Sequence, residues 1–465
     1  IALWSGRQLV IAQVLALALL LVVVLDPWAV ISPGFWLSFG AVAILAYALG
    51  ARVGVMHWLK VALQTQWAVT IGMLPLLLIM FHQASIISPL ANAFAIPLIS
   101  FIVTPLALLG SFLPLDFALH LSYQALNVCM QLLIWLNQLP AAVWQQQAPP
   151  LWTLLPAFLG IAWVLLPRGV PMRWLGWLGV LPMLLIAPQH PRTGDMKVTV
   201  LDVGQGLSVV VQTAAHTLLY DAGASYSAQT DAGGRVVLPY LQGEGVRHLD
   251  GFVVSHNDTD HSGGMATVLA QMPVSWLLSS LPPDFAFAGS VKRIKCFAGQ
   301  RWSWDGVEFA VLHPQLGSYE DTAWTDNNRS CVLKITSASG SLLLTGDIEK
   351  SIELALIESQ AGQQAFTSLK SDVMIAPHHG SKTSSSSEFI AAVQPRLTIF
   401  TAGYLNRFRH PREEVLTRYE HAGSRMLRSD YDGAVLLNFV ADDKTAVVTA
   451  ESWRKQNKHY WHDFY

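Results

Sequence analysis

The chain has 465 residues, with 29 Lys and Arg against 31 acidic residues and a formal net charge of −2, so charge alone neither selects nor excludes a polyanionic partner. Residues 1–190 carry only five basic residues and two acids, Asp26 and Asp116, amid long apolar runs. That excludes a single water-soluble globule and divides the chain into a membrane domain, 1–190, and a soluble domain, 195–465.

Seven apolar runs follow one another in the first domain: Leu9–Leu25, Phe35–Leu49, Val61–Met80, Ile86–Leu113, Phe117–Leu139, Leu151–Leu166 and Trp174–Ile186. If they alternate across a bilayer, Arg7, Arg52, Lys60, Arg168 and Arg173 fall on one side, which the positive-inside rule makes cytoplasmic. The soluble domain then faces outward. Pro33, Pro75, Pro89, Pro97 and Pro105 interrupt the runs or their ends. Proline costs a hydrogen bond that lipid cannot replace, so such breaks favour helices that line a path over helices that merely anchor. The chain opens at Ile1 within apolar sequence and reads as the C-terminal part of a longer membrane protein.

The soluble domain begins with the alternating strand Lys197–Leu201, turns at Asp202-Val-Gly-Gln-Gly206, and continues through strands at 208–212 and 217–220 that end on Asp221. The apolar run Phe252-Val-Val254 leads into His256-Asn-Asp-Thr-Asp-His261-Ser-Gly-Gly264, which places four candidate ligands, His256, Asp258, Asp260 and His261, within six residues. Later apolar strands lead to Asp347, to His378 and His379, and to His410. Ligand-type residues that repeatedly follow strands predict one site built from several strand tips, on an α/β sandwich with helices outside two mixed sheets. Ser381 and the run Thr383–Ser387 read as a mobile loop or as phosphate contacts, and seven arginines from Arg396 to Arg428 read as phosphate contacts or a solvated face. Cysteines number three; none forms a Cys-x-x-Cys pair, and Cys296 and Cys331 are able to pair in an oxidising compartment.

His256-x-Asp-x-Asp-His261, with Asp221 before it and Gly346-Asp347 and a His after it, resembles the metallo-β-lactamase fold. More narrowly, Leu201-Asp-Val-Gly-Gln-Gly206, Ser255–Gly264, Leu343-Leu-Thr-Gly-Asp347 and His378-His-Gly-Ser381 resemble the C-terminal domain of the ComEC family, the inner-membrane DNA-uptake channels. Ile31-Ser-Pro-Gly-Phe-Trp-Leu-Ser-Phe39 and Ala91-Asn-Ala-Phe-Ala-Ile-Pro97 are similar to segments of its competence domain. The resemblance implies a polytopic helical membrane domain followed by an αββα metallo-β-lactamase-like domain, periplasmic in a bacterium with two membranes. It also implies single- and double-stranded DNA, the bilayer, other DNA-uptake proteins and further copies of the chain as partners.

The implied site holds two divalent ions, Mn²⁺ or Zn²⁺, with the oxygen-rich ligand set leaning to Mn²⁺. His256 and Asp258, with His378 or His379, hold one ion; Asp260, His261 and His410 hold or approach the other; Asp347 bridges. Asp260 and Asp221 are the candidate catalytic carboxylates, Asp260 as ligand or base, Asp221 as turn cap or as partner of a histidine. A further ligand between His261 and Asp347 is left open among His313, Asn327 and Asn328. The expected activity is a nuclease that degrades one strand of incoming DNA. A membrane-tethered hydrolase of small esters or amides and a metal-free gate are the alternatives, because fold alone does not choose a chemistry.

Overall fold

The computed structural model describes residues 10–50, 57–113, 115–139, 142–167, 169–282, 285, 291–321, 324–359, 368–442, 445–459 and 462. Backbone contacts separate two compact units, Ile1–Pro188 with Gln242–Gly245, and Gln189–Leu241 with Val246–Tyr465.

All seven apolar runs form helices. Pro33–Gly50, Leu59–Phe81, Ser88–Phe112 and Asp116–Asn137 are long and apolar enough to cross a membrane, whereas Ile11–Leu25, Leu151–Leu165 and Arg173–Leu185 are shorter. Pro97 and Pro105 bracket a π-helical stretch, Ile99–Val103, inside the third long helix. The distorted backbone keeps a partner, since the buried Ser122 hydroxyl donates to the Val103 carbonyl oxygen at 2.9 Å, as a low-dielectric medium demands. Helices Leu154–Leu165 and Trp177–Leu185 meet through glycines. A Cβ on Gly160 would lie 2.2 Å from the Gly176 carbonyl oxygen, so only small residues permit this approach. Of the five basic residues, Arg7, Arg52 and Arg168 lie outside the described residues; Lys60 is exposed, and Arg173 donates to the Leu166 carbonyl oxygen at 2.5 Å.

The second unit is a sandwich of two sheets. One holds β1 (Met196–Val200), β2 (Val209–Gln212), β3 (Thr217–Tyr220), β4 (Gly251–Val254), β5 (Trp276–Ser279) and β6 (Lys292–Lys295), with β14 (Val435–Asp442) and β15 (Thr445–Ser452), in the order β6-β5-β4-β3-β2-β1-β14-β15. The other runs in chain order from β7 (Arg301–Trp304) through β8 (Val307–His313), β9 (Val332–Ser337), β10 (Gly340–Leu344), β11 (Val373–Ile375) and β12 (Leu397–Phe400) to β13 (Arg425–Arg428). Each sheet is antiparallel in one half and parallel in the other.

Side-chain alternation explains why the central strands are apolar throughout. Val209, Val211, Leu218, Tyr220 and Val253 face the core between the sheets, while Val210, Leu219, Phe252 and Val254 pack outward with Leu238, Leu241, Met265 and Val268. A strand buried on both faces has no position to spare for polar residues. Helices Lys350–Ser359, Ser387–Val393 and Glu413–His421 cover the second sheet through Ile352, Leu356, Phe389, Ile390, Val415 and Tyr419. The result is the expected αββα arrangement.

The middle of the serine run is packed into the fold rather than open to a phosphate, while Thr383 and Ser387 are exposed. Ser384, Ser385 and Ser386 are buried, Ser386 donates its backbone N–H to the Glu353 carboxylate at 2.8 Å, and its hydroxyl caps the next helix by accepting from Phe389. Cys296 and Cys331 form a disulfide with Cα atoms 6.1 Å apart.

Candidate metal centre

Parallel strands end at the same edge, and that edge gathers the polar tips. At the end of β3 the backbone turns left-handed at Asp221, φ +56°, and sends a fully buried carboxylate under the next strand. Its Oδ1 accepts from the Ser255 N–H at 2.7 Å, and its Oδ2 accepts from the Ser255 hydroxyl and from His261 Nδ1, both at 2.7 Å. Both oxygens are thereby committed. Asp221 stands behind His261 as a positioning residue, which corrects its expected place among the reacting carboxylates.

Those hydrogen bonds decide tautomers. With Nδ1–H of His261 spent on Asp221, its Nε2 is directed away from that carboxylate, towards Asp347 and His379. The Ser255 proton goes to Asp221, so its oxygen accepts from His256 Nδ1, 2.9 Å away, leaving His256 Nε2 without its proton in the neutral ring. That nitrogen is buried and has no hydrogen-bond partner, an arrangement that a cation would satisfy and that bare burial would not.

A short turn of helix, Thr259–Ser262, puts Asp260 and His261 side by side. The Asp202–Gly206 turn presses on it: the Leu207 N–H donates to the Asp260 carbonyl oxygen at 3.1 Å, and a Cβ on Gly206, φ +131°, would stand 2.3 Å from that oxygen. From the second sheet, Asp347 follows β10. Its N–H donates to Ser330 Oγ at 3.0 Å, and its Oδ1 lies 3.1 Å from His261 Nε2. After β11, His378 and His379 both adopt left-handed backbone, φ +49° and +54°, an unusual pair of strained non-glycine residues. The two rings diverge. His379 is buried, with Nδ1 3.0 Å from Thr401 Oγ1 and Nε2 3.2 Å from His261 Nε2 and 3.3 Å from Asp260 Oδ2. His378 is partly exposed, 3.8 Å from Asp347 and 3.9 Å from Glu349.

Two groups of potential ligand atoms emerge, His256 with His261 and Asp347, and Asp260 with His261 and His379, each within 4.8 Å. This redraws the partition expected from sequence: His379 sits with Asp260 and His261, and His378 and His410 are in neither group. Asp258 is at the rim, half exposed, 3.6 Å from His256 Nε2. His410 is near but peripheral, its ring 5.9 Å from that of His378.

Charge balance follows from burial. Desolvation by itself would raise Asp347, but His261 and His379 outweigh it and hold the carboxyl well below its usual range. Asp260 is lowered in the same way, against burial, by its hydrogen bond to His379 and by His261. Burial pushes His261 down, yet Asp347 and Asp221 carry it well above the ordinary histidine value; His379 is raised against burial by Asp347 and Asp260. Buried carboxylates thus draw positive charge into the centre, a demand that divalent metal meets with the same donors. His410 goes the other way, lowered to about 4 by burial and by the neighbouring His379 and His378.

The open ligand position is not filled by a histidine. His313 is buried, stacked on Trp324, and donates from Nε2 to the Asn328 carbonyl oxygen at 2.8 Å; burial lowers it to about 4. The Asn328 amide is engaged with Glu349. Ser330 instead approaches His256 Nδ1, at 3.3 Å. Ser255, Ser330 and Thr401 were not singled out as site residues. The only signal in sequence was position: Ser255 and Thr401 each follow directly on an apolar strand.

Residues 1–171 match the family model described as competence protein, and residues 201–402 match that of the metallo-beta-lactamase superfamily. Competence protein ComA of Neisseria gonorrhoeae is 37% identical over 418 residues, 90% of this chain and 57% of its own length. Recombination protein 2 of Haemophilus influenzae is 28% identical over 468 residues, 90% of this chain and 56% of its own. The chain therefore spans little more than half the length of these relatives. Among solved structures, the metallo-beta-lactamase fold protein YhfI from Bacillus subtilis aligns over 55% of this chain and 99% of its own, at 13% identity and a TM-score of 0.33.

Proposed function

We propose that this chain, which belongs to the competence proteins and carries a metallo-β-lactamase-superfamily domain, is the channel-and-nuclease part of a DNA-uptake protein of the bacterial inner membrane. In this reading residues 1–190 pass one strand, and residues 195–465, on the outer side by the positive-inside rule, degrade the other. The observation that carries it is the pair of ligand groups sharing His261 on a chain whose other half is a helical membrane domain.

Because His261 offers a single Nε2 lone pair, it would serve one divalent ion, held either with His256 and Asp347 or with Asp260 and His379; a second ion would rest on the remaining donors of the other group, with Asp258 and His378 at the rim. When bound, such ions polarise a phosphodiester and acidify water. The chain's own residues do the positioning. Asp221 fixes the His261 ring, Ser255 sets the His256 tautomer, and Thr401 orients His379. Buried on the sandwich side, these partners keep the donors aimed and dry. The mixed nitrogen and oxygen donors suit Mn²⁺ or Zn²⁺.

The test uses the full chain in detergent with end-labelled single- and double-stranded DNA and added Mn²⁺ or Zn²⁺. Cleavage that disappears in Asp347→Ala and with chelator supports the reading. Cleavage unchanged in Asp347→Ala would sink it.

A further inference from the structure

Beside the metal centre, residues 403–412 leave the tip of β12 and lead to helix Glu413–His421. The loop is braced from inside. The Asn406 amide donates to the Gly403 and His410 carbonyl oxygens at 2.9 and 2.7 Å, and its oxygen accepts from the His410 N–H at 2.9 Å. Arg409 is held in left-handed backbone, φ +58°, a conformation that costs a non-glycine residue energy and persists only where its surroundings impose it. What this brace presents is a stack: the Arg407 guanidinium lies 4.7 Å over the Phe408 ring, and Phe408 stacks on His410 at 5.7 Å and 26°. His410 in turn meets His378 edge to face, so the stack runs to the rim of the metal centre. Phe408 is 42% exposed, Arg407 and Arg409 are exposed, and neither arginine is paired with a described carboxylate.

We propose that this loop is a single-strand platform, in which a nucleobase takes the Phe408 face that Arg407 now covers and the displaced Arg407, with Arg409, binds the flanking phosphates. Three observations favour nucleic acid. Bare cationic charge stands at the aromatic ring, where a phosphate chain would supply the complement. Arginine and aromatic planes accept any base face, and a duplex offers no free face. The stack reaches His378 at the rim of the centre, so a strand held there lies beside the ligand residues. A lipid surface would use the exposed Leu405 and Phe408 but would need neither that reach nor the Asn406 brace. The inference rests on the nuclease reading for its purpose, but its test does not depend on cleavage.

The full chain in detergent is titrated with fluorescein-labelled oligo-dT in EDTA, where binding is read without hydrolysis. Phe408→Ala is expected to weaken binding about tenfold, from the loss of one stacked base, and Phe408→Trp to restore it. Arg407→Gln and Arg409→Gln should each flatten the salt dependence, and an abasic oligonucleotide should not distinguish Phe408→Ala from wild type. Unchanged oligo-dT affinity in Phe408→Ala overturns the platform, as does an equal loss on the abasic strand. Loss of binding to anionic vesicles with unchanged oligo-dT affinity would reassign the loop to lipid. Should Phe408→Ala fail to fold, the exposed Arg409→Gln carries the test, and an unaltered salt slope overturns the proposal. Asp347→Ala is run in parallel: if it still cleaves, the nuclease reading fails while the EDTA titration still decides the platform.

Discussion

The centre and the rim of the site are built on opposite principles. At the centre, His256, His261 and His379 are buried, and each has a hydroxyl or carboxylate behind its Nδ1. At the rim, Asp258 is half exposed, and His378, partly exposed, has the Thr383 hydroxyl 3.3 Å from its Nδ1 and lies 3.8 and 3.9 Å from Asp347 and Glu349. The same residue types occur in both places. What differs is whether the ring and its partner are buried, and buried support decides which side chains are aimed before a ligand arrives.

The comparison predicts a graded series. The largest effect is expected at the shared centre: Asp347→Ala or His261→Ala should lower both metal content and DNA cleavage by about a hundredfold or more, exceeding the usual loss from an outer partner. Metal analysis of the purified variants checks this apart from activity. Next, Asp221→Asn keeps the shape but withdraws the negative charge behind His261. Metal affinity should fall by about 10- to 100-fold, and an unaltered affinity would show that the support behind the ring is irrelevant. Third, His378→Ala and Asp258→Asn should each cost at most about tenfold, the low end for such partners. If either matched Asp347→Ala, the distinction between centre and rim would break.

The smallest effect lies away from the site and concerns stability against acid. Asp305 is held down to about 2 because, against burial, it accepts hydrogen bonds from His216, Thr213 and the Ala215 N–H. A carboxylate depressed from about 3.8 stabilises the fold above that pH and loses the contribution as pH falls through 3.8 towards 2. Asp305→Asn should lower thermal stability at pH 6 by no more than about 1 kcal/mol, since the pair is partly exposed. The gap from wild type should close on acidification; a gap that persists at pH 2 would contradict the assignment.

Reading the chain alone reached the helical runs, the αββα class and most of the polar tips, because each depends on local pattern: apolar length for a span, alternation for a strand, a ligand-rich loop after it. It did not reach the roles of Ser330 or Thr401, which lie just outside the strands Val332–Ser337 and Leu397–Phe400 and are ordinary residues in their own neighbourhoods. It left the serine run open between a mobile loop and phosphate contacts; its middle is held by Glu353, more than 30 positions earlier.

The adjacent histidines show the boundary between the two kinds of information. Sequence by itself determined that His378 and His379 stand together after a buried strand. Only the tertiary structure decided that His379 turns inward to Asp260 and His261 while His378 remains at the rim. Two residues in left-handed backbone send their side chains in directions that no alternation rule supplies, and the Thr401 hydroxyl that orients the inner ring arrives from just beyond the end of the next parallel strand.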